Sequence, residues 1–195
     1  IDEENIVITA GSDGAIKMCF EAFSQNDRGV LFMSPTFAMV EVYCELYKMV
    51  PKRVFYDENL EIDWPSVQEM GFKDLSLIIL ANPNSPTGTE IDKVRLESLI
   101  SQAGTDGIPV LVDEAYYGFS KTTAIDLISK YPNLIVSRTF SKAYGLAGLR
   151  IGYIVSSKNI AKKLFGYRPM YEVNQVAVKF AMHLLSEPKE VEEYL

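Results

Sequence analysis

Cysteine, histidine and positive charge are scarce in this 195-residue chain, and it has no long apolar run. There are two cysteines, Cys19 and Cys44, neither in a Cys-x-x-Cys pair, and one histidine, His183. That set is too small for a structural zinc site or a disulfide framework, so no metal is expected and the thiols point to a reducing, cytoplasmic compartment. No stretch approaches the ~18 uninterrupted apolar residues of a membrane span. The opening Ile1-Asp2-Glu3-Glu4 lacks the basic and apolar regions of a secretory signal, and without an initiator methionine the chain reads as a processed or excised piece. Against 26 Asp and Glu stand 19 Lys and Arg, a formal net charge of -7. Nucleic acid and anionic membranes need a basic face, and none is visible, so neither is expected as a partner. A small anion held in one local pocket is untouched by that reasoning. Two nucleotide signatures are missing as well: there is no Gly-x-x-x-x-Gly-Lys-[Ser/Thr], and no Gly-x-Gly-x-x-Gly follows a strand candidate.

What is present is an ordinary globular composition, 48% hydrophobic and 23% charged, long enough for one large domain with a continuous core. Short β-branched runs at Asn5–Thr9, Val30–Met33, Arg53–Tyr56, Leu77–Ala81, Val110–Asp113, Leu134–Ser137 and Arg150–Val155 predict strands. Most are continuously apolar, as strands covered on both faces must be. Helical periodicity falls between them, at Gly14–Phe23, Ala38–Tyr47, Val94–Ala103 and about Asn174 to Leu185. The alternation predicts an α/β fold with a mostly parallel seven-stranded sheet and helices on both faces. Turn signals at Asn82-Pro83-Asn84-Ser85-Pro86-Thr87-Gly88 and from Gly145 to Gly148 lie at strand ends, where an open α/β sheet places its ligand.

Three segments carry candidate chemistry. Ala10-Gly11-Ser12-Asp13-Gly14 joins the first strand to a helix; it is either a plain turn and cap or an anion site made of backbone N–H groups. Val110-Leu111-Val112-Asp113-Glu114-Ala115-Tyr116 ends an apolar strand in two acids. Asp113 continues the inward strand and is either a buried functional carboxylate or a helix cap, whereas Glu114 is solvated or caps the next element. In Ser137-Arg138-Thr139-Phe140-Ser141-Lys142-Ala143-Tyr144-Gly145-Leu146-Ala147-Gly148-Leu149-Arg150, Lys142 follows a buried strand among hydroxyls and aromatics. A lysine so placed tends to become a nucleophile, and Arg150 can grip a phosphate bidentately.

The order of these motifs, with Pro35-Thr36-Phe37 and the Asn-Pro-Asn-Ser-Pro-Thr-Gly turn between them, resembles the class I/II aminotransferases of pyridoxal-phosphate fold type I. Within that family it is most similar to the histidinol-phosphate aminotransferase branch, and the likeness covers essentially the whole chain. The resemblance implies pyridoxal 5'-phosphate as cofactor. Lys142 would form the internal aldimine and shuttle a proton, Asp113 would pair with the ring nitrogen, and Tyr116 would donate to the phenolic oxygen. Phe37 would stack on the ring. The phosphate would sit against Gly11, the amides of Ser12 and Asp13, the hydroxyls of Thr139 and Ser141, and Arg150. Family members carry an Asn directly before Pro-Thr-Gly; here Ser85 holds that place and Asn84 precedes it. Asn84 is the preferred contact, because an amide reaches farther than a serine hydroxyl. The run from Tyr167 to Asn174 also departs from the family, with Arg168 either a substrate contact or a surface residue.

The resemblance further implies that residues 1–195 are the cofactor-binding large domain, with 175–195 starting the helix toward a small C-terminal domain. The N-terminal arm and small domain would lie outside them, and the whole protein would be a homodimer. Its expected activity moves an amino group between an amine donor, histidinol-phosphate-like or aromatic, and a 2-oxo acid acceptor. The rival readings are a decarboxylase of the same fold, similar to the threonine-phosphate enzymes, and a non-catalytic module.

Overall fold

The computed structural model describes residues 1–120 and 122–195. Seven strands, β1 (Ile6–Thr9), β2 (Gly29–Ser34), β3 (Val50–Phe55), β4 (Leu75–Ala81), β5 (Val110–Asp113), β6 (Leu134–Thr139) and β7 (Gly152–Ser156), form one sheet in the order β1-β7-β6-β5-β4-β2-β3. Strands β2 to β6 pair in parallel, while β7 runs antiparallel to both its neighbours, β6 and β1. The sheet is therefore mixed, with six strands pointing one way and β7 the other.

Consecutive residues of a strand face opposite sides, and both sides are apolar here. Leu31, Ile78, Leu80, Val110, Val112, Leu134 and Val136 pack on one side against α3 (Trp64–Glu69) and α4 (Lys93–Thr105). Phe32, Leu77, Ile79, Leu111, Ile135 and Ile154 pack on the other against α1 (Gly11–Phe23), α2 (Met39–Leu46) and α5 (Lys158–Phe165). Two-sided burial is why these strands read as unbroken apolar runs. Beyond α5 come α6 (Gln175–Ser186) and α7 (Pro188–Tyr194). Buried Ala177 and Ala181 of α6 pack on Phe140 and Ile151. No helix among the described residues is long and apolar enough to cross a membrane.

Departures from the expected elements have local causes. The edge strand β3 begins three residues before the expected Arg53 and includes Pro51, which an edge tolerates because one side of the ladder is open. Helix α1 begins at Gly11 rather than Gly14, because Gly11 turns the chain directly out of β1 with a φ of 76°. Helices α3, α5 and α7 are short; α3 buries only Val67, whereas α5 has an amphipathic pattern, with Ala161 and Leu164 buried, that the expected elements left out.

The direction of β7 positions everything that follows. Because β6 and β7 are antiparallel, the end of one and the start of the other share an edge, and Thr139, Gly152 and Thr9 align across it. The ends of β1, β4, β5 and β6 and the first turn of α1 therefore converge there. Gly152 makes the crossing possible: a Cβ on it would stand 2.6 Å from the Arg138 carbonyl oxygen and 2.8 Å from the Gly11 backbone. Gly152→Ala is expected to lower stability by about 1–3 kcal/mol, the scale of overpacking, in urea unfolding. Gly148→Ala, whose new methyl meets nothing within 4 Å, should stay within about 0.5 kcal/mol.

Candidate active site

A cavity of about 220 Å³ opens at this edge. Its floor is Asp113, the last residue of β5, 6% exposed. The Ser137 hydroxyl donates to Asp113 Oδ1 at 2.7 Å. Burial pushes the carboxyl up to about 6, and the charges of Glu114 and Asp13 push the same way, against the pull of Ser137 and the Ala115 N–H. Among the described residues no lysine or arginine pairs with it. On α1, buried Cys19 has its thiol driven upward by burial and then by the Asp113 charge, so it stays protonated.

One wall gathers groups that can hold an anion. Ser12 and Asp13 line it from the first turn of α1, a 13-residue helix whose leading N–H groups have no partner within the helix. The Asp13 carboxylate is turned aside and accepts from Tyr43 Oη at 2.9 Å. Arg150, in the left-handed conformation (φ 50°), reaches back so that Nη2 donates to the Ala10 carbonyl at 3.4 Å and Nη1 to Ser141 Oγ at 3.4 Å. A Cβ on Gly11 would meet Arg150 Nη2 at 3.0 Å, so the glycine is what lets the guanidinium lie against the helix start. Thr139 and Ser141 complete this side, the Ser141 N–H donating to Thr139 Oγ1 at 3.1 Å.

Across the mouth, Lys142 Nζ lies 5.1 Å from the centre of the Tyr116 ring. Hydrogen bonding to Ser85, and then to Lys142, holds the Tyr116 phenol below its ordinary range. Phe37, 38% exposed, lines the cavity with Ser85.

The cavity thus gathers Ser12, Asp13, Phe37, Ser85, Asp113, Tyr116, Thr139, Ser141, Lys142 and Arg150, with Gly11 packed directly behind Arg150. Asn84 is not brought in. It is 3% exposed; its Nδ2 donates to the Pro35 carbonyl at 2.9 Å and Thr87 Oγ1 at 2.8 Å, and its Oδ1 accepts from Thr36 at 2.8 Å. That amide is consumed in tying its own turn together, and Ser85 alone of the two reaches the cavity. Arg168 stands outside too, its guanidinium 4.8 Å from the Phe165 ring centre. Glu114 is not solvated: it is 1% exposed, ion-paired with Arg138 at 2.9 Å, and accepts from the Ala124 N–H ahead of a short 3₁₀ turn. Sequence reasoning also missed Glu172, which accepts from the Ala10 N–H at 3.1 Å; the one available signal was an acid within the unusual 167–174 run. A wider groove of about 780 Å³ lies at the opposite edge of the sheet, around Phe23, Gly104 and Tyr131. It holds none of the candidate residues and no buried acid, so the smaller cavity is the better site.

Comparison with known proteins gives the family and the fold. The family model described as aminotransferase class I and II matches residues 1–195. The histidinol-phosphate aminotransferase of Thermoanaerobacter pseudethanolicus is 38% identical over 183 residues, 93% of this chain and 51% of that protein. The chain spans about half the length of the curated relatives it matches. Among solved structures, the histidinol-phosphate aminotransferase of Sinorhizobium meliloti in complex with pyridoxal-5'-phosphate superposes with a TM-score of 0.86 at 25% identity, covering 97% of this chain and 52% of that one. The L-threonine-O-3-phosphate decarboxylase of Porphyromonas gingivalis gives 0.83 at 27% identity, covering 96% and 58%.

The raised Asp113 carboxyl has a consequence for the ligand-free protein. Between its ordinary value of 3.8 and about 6 the unfolded chain has released this proton and the folded chain still holds it. Its contribution to stability therefore falls as pH rises through that window. Asp113→Asn removes the contribution, so urea unfolding of both proteins should show the variant gaining on the wild type from about pH 4 to about pH 7.5. At about 1.4 kcal/mol per unit the gain is on the order of 2–3 kcal/mol. A stability difference independent of pH would contradict this environment for Asp113.

Proposed function

The chain belongs to the class I and II aminotransferase family, and we propose that its cavity holds pyridoxal 5'-phosphate and serves amino transfer between an amine or amino acid and a 2-oxo acid. The observation that carries this reading is Asp113, a buried carboxylate with hydrogen-bond donors but no paired cation among the described residues. A protonated pyridine nitrogen supplies the missing charge. The rest of the site fits the same group: a lysine at the mouth for the aldehyde, a phenol beside it, and a helix start with arginine and two hydroxyls for the phosphate.

When bound, pyridoxal phosphate supplies an electron sink for charge developing at the substrate Cα. Asp113 holds a proton on the ring nitrogen and so keeps that sink effective. Lys142 Nζ would hold the cofactor at its aldehyde carbon with loss of water and, once the substrate amine displaces it there, would move a proton at the substrate Cα as a free amine. Tyr116, beside Ser85, would donate to the phenolic oxygen, and Phe37 would stack on the ring. The Ser12 and Asp13 amides, the Thr139 and Ser141 hydroxyls and Arg150 grip the phosphate and fix the ring's orientation.

For the whole protein we propose a histidinol-phosphate-like or aromatic amine donor, in keeping with the names of its relatives, and a cytoplasmic homodimer. Two free, buried cysteines suit a reducing compartment. Exposed Val176, Phe180 and Leu185 on α6 suit the reading of 175–195 as a helix leading toward a further domain. The similarity to a threonine-phosphate decarboxylase favours a second reading, in which the same residues serve loss of carbon dioxide. The whole protein mixed with candidate amines and 2-oxoglutarate separates the two: pyridoxamine phosphate supports transfer, and carbon dioxide supports decarboxylation.

Two variants test the assignment of residues. Lys142→Ala should abolish the visible, borohydride-trappable adduct, and its persistence would place the attachment elsewhere. Arg150→Ala should weaken pyridoxal phosphate binding by about 1.5–3 kcal/mol, the scale of a hydrogen bond between charged groups, with little effect on pyridoxal lacking the phosphate. An equal loss for both ligands would remove Arg150 from the phosphate site.

A further inference from the structure

Asp113 and Ser137 sit opposite each other in the register of β5 and β6. The residues that follow them, Glu114 and Arg138, face the other side of the sheet and are absent from the cavity lining. There the two form a buried pair, with side chains 1% and 14% exposed. Arg138 Nε donates to Glu114 Oε2 at 2.9 Å, and Nη2 donates to Thr123 Oγ1 at 2.9 Å. Glu114 Oε1 accepts from the Ala124 N–H at 2.6 Å, and Thr123 Oγ1 lies 3.0 Å from the same oxygen. The guanidinium carbon rests 3.3 Å from the centre of the Tyr117 ring.

These contacts surround the turn that carries Tyr116. The Tyr117 N–H donates to the Glu114 carbonyl at 2.9 Å on the near side, the Tyr117 ring lies on Arg138, and Thr123 and Ala124 are tied to the Glu114 carboxylate on the far side. Tyr116 shares the cavity wall with Ser85; its ring meets Phe119 at a centroid distance of 6.3 Å and lies 5.1 Å from Lys142 Nζ. A buried ion pair is weak evidence of net stabilisation, because an apolar pair of similar volume often does as well; its better-attested use is to specify one conformation.

We propose that Glu114 and Arg138 are positioning residues that fix Tyr116 against Lys142 and the cofactor's phenolic oxygen, an inference that rests on the cofactor reading above. A hydroxyl donating to that oxygen draws electron density away from the neighbouring lysine-bound nitrogen, which then loses its proton at lower pH. Misplacing Tyr116 removes the effect without touching Lys142 or the phosphate cup.

The test uses the whole protein loaded with pyridoxal phosphate and follows the pH midpoint of its visible band in Arg138→Met, Glu114→Gln and Tyr116→Phe. All three should keep the borohydride-trappable band and raise its midpoint by about one unit, the scale of one hydrogen bond to a charged group. Combining Arg138→Met with Tyr116→Phe should add nothing to Tyr116→Phe alone, since both remove the same interaction. An unchanged midpoint in Arg138→Met and Glu114→Gln, or a shift that adds fully to that of Tyr116→Phe, would overturn the proposal. If Arg138→Met does not fold, Glu114→Gln, which preserves shape, takes its place in the cycle. Absence of a trappable band in the unmutated protein would defeat the cofactor reading instead. Hydrogen exchange in the ligand-free protein then decides the positioning role: faster exchange across Ala115–Ser120 in Glu114→Gln, with β4 unchanged, supports it, and unchanged exchange overturns it.

Discussion

A carboxylate buried at the end of the central strand β5, with no cation paired to it among the described residues, is the constraint on which the site depends. Asp113 sits among apolar β-strands and against α1, where ionisation is opposed by burial and by two neighbouring acids. Two hydrogen-bond donors offset part of that opposition, and a positive partner would offset the rest. The ligand-free fold therefore carries an unfavourable charge at neutral pH, and a ligand that supplies a cation there binds with the protein's own electrostatic strain in its favour. Sites in which burial and neighbouring charge shift a group in this way are where function concentrates.

The sheet supplies the remaining geometry. Reversal of β7 returns the chain to the edge it left at β6, bringing Arg150 against Gly11 and the start of α1 while the intervening segment holds Lys142 over Tyr116. Apolar layers on both faces keep water from beneath Asp113 and let the acid at one strand end and the anion cup at another be fixed relative to each other. One rigid scaffold thus holds a buried acid and a guanidinium at the two ends of the cavity; Gly152 is required where a Cβ would strike the Arg138 and Gly11 backbones, and Gly11 where it would crowd the Arg150 guanidinium and the backbone turns with a positive φ.

Much of this was legible in the sequence, for identifiable reasons. Val110–Asp113 has the bounds expected of it because two-sided burial leaves a continuous apolar run that ends sharply at an acid. The cup and the lysine segment were legible as glycine and hydroxyl clusters at strand ends. The choice between Asn84 and Ser85 was not, because reach alone favours the amide, whereas a buried amide must first satisfy its own donors, and Pro35, Thr36 and Thr87 do so within the turn. The Glu114 pairing was hidden for another reason: its partner Arg138 lies on the neighbouring strand, and only the register brings the two together. Helix α3 escaped because a single buried residue, Val67, leaves no periodicity to read, whereas α5 escaped only because it is two turns long, its apolar residues falling regularly among lysines.

The most direct measurement is the titration of the Asp113 carboxyl itself, followed by NMR of the whole protein with carbon-13 in its aspartate carboxyls and assigned through Asp113→Asn. In the ligand-free protein the resonance should titrate near pH 6. With pyridoxal phosphate bound it should remain ionised well below that, because the ring nitrogen then provides a cation that the described residues do not. The same midpoint in both states, or a higher one in the loaded protein, would show that Asp113 does not meet a positive charge there.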